Sequence, residues 1–120
     1  LNVIMCHGGY PWTEEFIAVA GTNPNVHVDI SFFDYIERKF ANPRLTENTI
    51  RRLVSIIGAE RLIWGSEGPL MELPLYGSHG VENYSKSMDF LVRRFDFLSE
   101  EEKKNILGKN AEKLFKINYF

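Results

Sequence analysis

The strongest constraint on this fold is the regular exchange of short apolar runs with amphipathic stretches. Val3 to Cys6 is an apolar run ended by Gly8, Gly9 and Pro11, which predicts a buried strand passing into a loop. Thr13 follows as a helix cap. Glu14 and Glu15 stand where the positive end of the helix favours carboxylates, and Phe16, Ile17, Val19 and Ala20 supply the apolar side of a helix that stops near Gly21 and Pro24. The segment Asn25-Val26-His27-Val28-Asp29-Ile30-Ser31 then alternates strictly. A strand there puts Val26, Val28 and Ile30 on one face and His27, Asp29 and Ser31 on the other.

From Phe32 to Leu45 the chain is aromatic and charged without a clean period, and it ends at Asn42-Pro43, so it reads as a loop with at most a helical turn. Thr46 opens a second helix. Its Ile50, Leu53, Val54 and Ile57 recur at helical spacing, and Gly58 ends it. Leu62 to Ser66 reads as a third strand, and the Gly- and Pro-rich stretch from Glu67 to Val81 as a long loop. A helix over Asn83 to Phe95 follows, with Met88, Leu91, Val92 and Phe95 on one side. Ser99 and Glu102 then form a capping box for a helix ended by Gly108, and Asn110 caps a last short helix through Leu114 and Phe115.

Strands alternating with helices specify an α/β fold with parallel strands and crossover helices. Three strands are few. With helices on one face only, the other face and both edges of the sheet stay open, so either helices fold back over it or further strands come from elsewhere. The net charge of -2, with no basic block, points away from nucleic acid and from an anionic membrane surface. Cys6 is the lone cysteine, which excludes an intramolecular disulfide and a cysteine-rich zinc site and fits a cytoplasmic setting. No apolar run nears the roughly 20 residues of a membrane-spanning helix. The chain starts without Met, directly in a strand-like run, and so reads as a piece of something longer.

In parallel α/β folds ligands bind where the carboxyl ends of the strands and their loops converge. His7 follows the first strand, Asp29 and Ser31 close the second, and Ser66 and Glu67 close the third. Strand parity groups His7 with Val3 and Met5, and Glu67 with Ile63 and Gly65, so both side chains are expected to reach a common centre. A histidine and a carboxylate so placed suit either a general acid–base pair or a pair of metal ligands. Each also has a plainer reading. His7 before Gly8-Gly9 could be a loop residue bonded to backbone, Asp29 could bond loop amides, His27 could pack inside or pair with a carboxylate, and His79 could be solvated. Tyr10 and Trp12 either line a pocket or pack the loop.

Four motifs carry a family likeness: Ile4-Met5-Cys6-His7-Gly8-Gly9-Tyr10-Pro11-Trp12; Pro24-Asn25-Val26-His27-Val28-Asp29-Ile30-Ser31; Trp64-Gly65-Ser66-Glu67-Gly68-Pro69; and Ile106-Leu107-Gly108-Lys109-Asn110-Ala111-Glu112-Lys113-Leu114-Phe115. In this order and spacing the chain resembles the carboxyl-terminal part of the amidohydrolase-related family of metal-dependent hydrolases and decarboxylases. The resemblance implies a (β/α)8 TIM barrel of about 250 residues, of which residues 1–120 form a single partial domain, the last three βα units with extra carboxyl-terminal helices.

It also implies a divalent metal, commonly zinc, held by a His-x-His pair after the first barrel strand, a His after the fifth and an Asp after the eighth, which activates a water. His7 would then be the acid–base group. Glu67 would be the metal-binding and proton-moving carboxylate, and Tyr10, Trp12, Asp29 and Ser31 would meet the substrate. This chain holds no His-x-His, and Glu67 replaces the family's Asp. The expected function is hydrolysis of a small-molecule amide, ester or lactone, or decarboxylation, with the missing amino-terminal barrel units or a second copy as partner. The alternatives are a catalytically inactive barrel fragment serving as a subunit or interaction module, and a metal-independent lactonase.

Overall fold

A computed structural model describes residues 1–66, 89 and 94–117, apart from the side chains of residues 34 and 38. The alternation produces the sheet it predicts. Strands β1 (Val3–Met5), β2 (Val26–Asp29) and β3 (Leu62–Ile63) lie side by side in that order, all parallel. Helix α1 (Thr13–Thr22) crosses from β1 to β2, and α2 (Phe33–Lys39) with α3 (Leu45–Ile57) from β2 to β3.

In β2 the expected faces are observed, with Val26 and Val28 buried and His27 and Asp29 half-buried. Phe16, Ile17 and Ala20 of α1 and Ile50, Leu53 and Ile57 of α3 join Val26, Val28 and Leu62 in one core. Each large side chain so buried contributes about 1.5–3 kcal/mol, which makes this helix-covered face the main source of stability. The expectation of a buried first strand is corrected. Val3, Ile4 and Met5 are 36–40% exposed, because β1 is an edge strand bonded to β2 alone among the described residues.

Other elements depart from the expectations for definite reasons. Phe32 to Leu45 contains the seven-residue helix α2 rather than a loop with at most a helical turn. Its inner side combines Phe33 and Ile36 with the buried carboxylate of Glu37, and a charged residue on the inner side masks the apolar period. That carboxylate accepts from the Arg94 guanidinium at 2.5 Å and from the Thr46 hydroxyl. Thr46 stands at the opening of α3, as expected, but as its second residue, buried and bound to Glu37 rather than capping. Thr13 is likewise the first residue of α1 and makes no cap, that position falling to Trp12. Arg61 has a role its sequence context does not show. Its guanidinium donates to the carbonyls of Ile57, Ala20, Asn23 and Val26, stitching α1, α3 and β2 together at the amino-terminal end of the strands.

The third strand ends at Ile63, not at Ser66. The next amide, on Trp64, donates to the Ile106 carbonyl of the carboxyl-terminal helix instead of to another strand. That helix starts at the expected capping box of Ser99 and Glu102 and runs without a break through α4 (Glu100–Lys104), a π-helical turn (Asn105–Lys109) and α5 (Asn110–Phe115). Gly108 thus lies inside it. Asn110 is no cap either, because its buried amide donates to the carbonyls of Ala59 (2.8 Å) and Leu62 (2.7 Å), clamping the helix to β3. Replacing Asn110 with Ala removes two buried hydrogen bonds, although the Ala59 carbonyl keeps the Leu62 amide, and is expected to cost about 1–3 kcal/mol in denaturant unfolding. A loss under about 0.5 kcal/mol would contradict the clamp. The expected loop from Glu67 to Val81 and most of the helix from Asn83 to Phe95 lie outside the described residues. No helix among the described residues is long and apolar enough to cross a membrane.

Candidate active site

The residues that end β1 determine where His7 goes. The strand stops at Met5, and Cys6–Gly9 forms a tight 3-10 turn in which His7 (φ 55°), Gly8 (φ 59°) and Gly9 (φ 73°) are all left-handed. Glycine is needed here for space as well as for φ. A Cβ on Gly8 would stand 2.6 Å from Phe33 Cζ, and one on Gly9 2.6 Å from Phe16 Cβ. The parity argument for His7 is thereby corrected. Val3 and Met5 align with Val26 and Val28 of the helix-covered face, whereas Ile63 aligns with Asp29 of the opposite face. It is the left-handed turn, not strand alternation, that brings His7 to the end of β2.

There the imidazole Nδ1 lies 3.3 Å from the Ser31 carbonyl and 3.2 Å from Ser31 Oγ. Ser31 is in turn gripped by Asp29, whose carboxylate accepts the Ser31 amide at 2.5 Å and the Ser31 hydroxyl at 2.9 Å. Such a grip on the residue two positions ahead is a usual way for Asp to set a turn. Ser31 is only 2% exposed, so its hydroxyl is no nucleophile for an incoming substrate. The end of β3 comes close as well. A Cβ on Gly65 would meet Ser31 Cβ at 3.2 Å and Asp29 Oδ1 at 3.3 Å, so only glycine lets that segment pass the cluster without displacing it. Glu67, two residues on, lies outside the described residues.

Of the expected site residues the structure therefore gathers His7, Asp29 and Ser31. Tyr10 turns its ring to Phe40 (centroids 6.0 Å apart) and lines an open cavity of about 550 Å³ with Glu14 and Arg52, while Trp12 is 67% exposed. The aromatic neighbour of His7 is instead Phe32, 5.3 Å away between ring centroids, with Tyr35 stacked on Phe32 at 4.6 Å. Sequence reading missed this pair because it took their segment for a loop. The Phe-Phe sequence opening α2 was the available signal.

His27 sits farther back on the same strand face, beside an open cavity of about 610 Å³ shared with Arg61, Asn110 and Lys113. The residue is half-buried, and its Nδ1, shielded from solvent, has no hydrogen-bond partner among the described residues. Burial first, and the Arg61 charge second, push its pKa below the usual histidine range. The unfolded chain then takes up this proton more readily than the folded one. Stability is therefore fully present above the unfolded pKa, about 6.5, and declines as pH falls from there through the lowered folded value. Urea midpoints measured from pH 7.5 to 5 should fall less steeply for His27→Gln than for the parent, and identical slopes would contradict this.

Among the described residues no three of His, Cys, Asp and Glu stand close enough together to hold a metal ion. His7 and Asp29 are bridged through Ser31, and both Asp29 oxygens are engaged by Ser31, so these residues alone do not fit a metal centre. A family model described as amidohydrolase matches residues 1–117. No curated protein matches the chain.

Proposed function

The chain belongs to the amidohydrolase family, and on that premise we propose that it forms the last three βα units of a (β/α)8 hydrolase acting on a small molecule, with His7 as the acid–base group. One observation carries the reading. An unusual left-handed turn, with two glycines that no larger residue could replace without displacing Phe33 or Phe16, exists at the carboxyl end of a parallel strand and sets His7 against Ser31. A loop histidine without a task needs no such turn. The reaction class is hydrolysis of an amide, ester or lactone, with decarboxylation as the neighbouring chemistry. In either, His7 moves a proton to or from the reacting group, a contribution of about 10²- to 10⁴-fold in rate.

The reading also includes completion of the barrel by further βα units or by a second copy, and the exposed β1, paired with β2 alone among the described residues, supports it. The divalent metal of the family, zinc as the first candidate, would supply Lewis-acid chemistry. Its ligands would come from those units and from Glu67, since the described residues form no ligand set.

Metal content and turnover of the complete protein test the reading, with Glu67→Gln as the paired variant. Stoichiometric metal, hydrolysis of a small ester, lactone or amide, and loss of both in the variant are expected. Metal-free turnover would favour the lactonase alternative. A folded complete protein without turnover would favour the inactive interaction module.

A further inference from the structure

The Ser31 hydroxyl stands between the Asp29 carboxylate and the His7 imidazole. A serine hydroxyl has one proton to give. Here that proton is directed to Asp29 Oδ2 at 2.9 Å, because an ionised carboxylate can only accept. Ser31 Oγ therefore faces His7 Nδ1 with a lone pair, and the second neighbour of Nδ1, the Ser31 carbonyl, is an acceptor as well. Two acceptors at 3.2 and 3.3 Å call for a proton on Nδ1.

We infer that Ser31, oriented by Asp29, is a positioning residue that holds neutral His7 as its Nδ1–H tautomer and so assigns proton transfer to Nε2. This reassigns Asp29 and Ser31 from substrate contact to control of the imidazole. The inference rests on the proposed acid–base role of His7 for its functional meaning, though not for its geometry. The Asp29 carboxylate grips Ser31 at two points. One oxygen holds the Ser31 amide and fixes the backbone carbonyl, and the other holds the hydroxyl and fixes its direction. An acid–base histidine depends on which nitrogen carries the proton, and that is set by the hydrogen bond of the opposite nitrogen.

Histidine ¹⁵N NMR on the complete, folded protein at a pH where His7 is neutral reads the tautomer directly, with the His7 signal assigned from the spectrum of His7→Asn. The parent should show a protonated Nδ1 and an unprotonated Nε2. Ser31→Ala removes one acceptor and should admit a measurable Nε2–H fraction, whereas Ser31→Thr, which keeps the hydroxyl, should retain the parent signal. Asp29→Ala should shift the balance further than Ser31→Ala, because the freed hydroxyl can then donate to Nδ1. A merely structural role predicts no such order.

A parent with Nε2–H, or a Ser31→Ala protein indistinguishable from the parent, would overturn the inference. If Asp29→Ala does not fold, the Ala and Thr variants of Ser31 decide the matter. The acid–base reading fails separately, if the tautomer is as expected but His7→Asn retains parental turnover.

Discussion

His7→Asn is expected to lower kcat/KM of the complete protein by about 10²- to 10⁴-fold while leaving its unfolding midpoint nearly unchanged. Asparagine is the replacement to use, because position 7 is left-handed (φ 55°) and Asn tolerates that region better than other side chains. The ring at this position is half exposed to the site and contributes little to the core, which lies on the other side of the turn at Gly8 and Gly9. A large loss of rate without loss of stability therefore separates a chemical role from a packing role. Equal losses of both, or neither, would speak against His7 as the acid–base group.

The second large effect falls on the residue beside it. Gly8→Ala should destabilise the protein by about 2–4 kcal/mol. Of this, about 1 kcal/mol comes from forcing a Cβ into left-handed backbone, and about 1–3 kcal/mol from driving that Cβ into the Phe33 ring, 2.6 Å away in the present packing. The turn that relieves the clash also moves His7, so activity should fall as well, by about 10- to 100-fold. Phe33→Leu gives the test its control. It removes the ring carbons that the new Cβ meets, so the double variant Gly8→Ala/Phe33→Leu should be more stable than the sum of the single losses predicts. Strict additivity would mean that the close approach is not the cause.

Much of this arrangement is visible in the sequence, and the exceptions share a cause. Period-two alternation in Val26 to Ser31 and helical spacing in Ile50 to Ile57 report burial on one face, and the structure buries those faces. The capping box at Ser99 is likewise local, its two partners three residues apart. What sequence reading misses is decided by polar groups whose partners are distant in the chain. Glu37 breaks the apolar pattern of α2 because its carboxylate is matched by Arg94, 57 residues away. Asn110 resembles a cap until its amide is seen to serve carbonyls 48 and 51 residues earlier.

The site divides in the same way. Asp29 and Ser31 are legible as the polar end of a strand. His7 reaches them across 24 residues through left-handed backbone that the glycines permit but parity does not describe. Tyr10 and Trp12 are next to His7 in sequence, yet Phe32 supplies the aromatic contact to its ring.

The central claim is that the imidazole of His7 performs proton transfer for hydrolysis in an amidohydrolase-type site. Its most direct test is rescue of His7→Gly by added imidazole. Glycine keeps the left-handed turn and leaves a ring-sized space, so free imidazole can occupy the place of the lost side chain beside Ser31. With the complete protein and a small ester or lactone that the parent turns over, the account predicts that His7→Gly is nearly inactive and that its rate rises saturably with imidazole, while the parent rate does not. Parental activity in His7→Gly without imidazole would contradict the account.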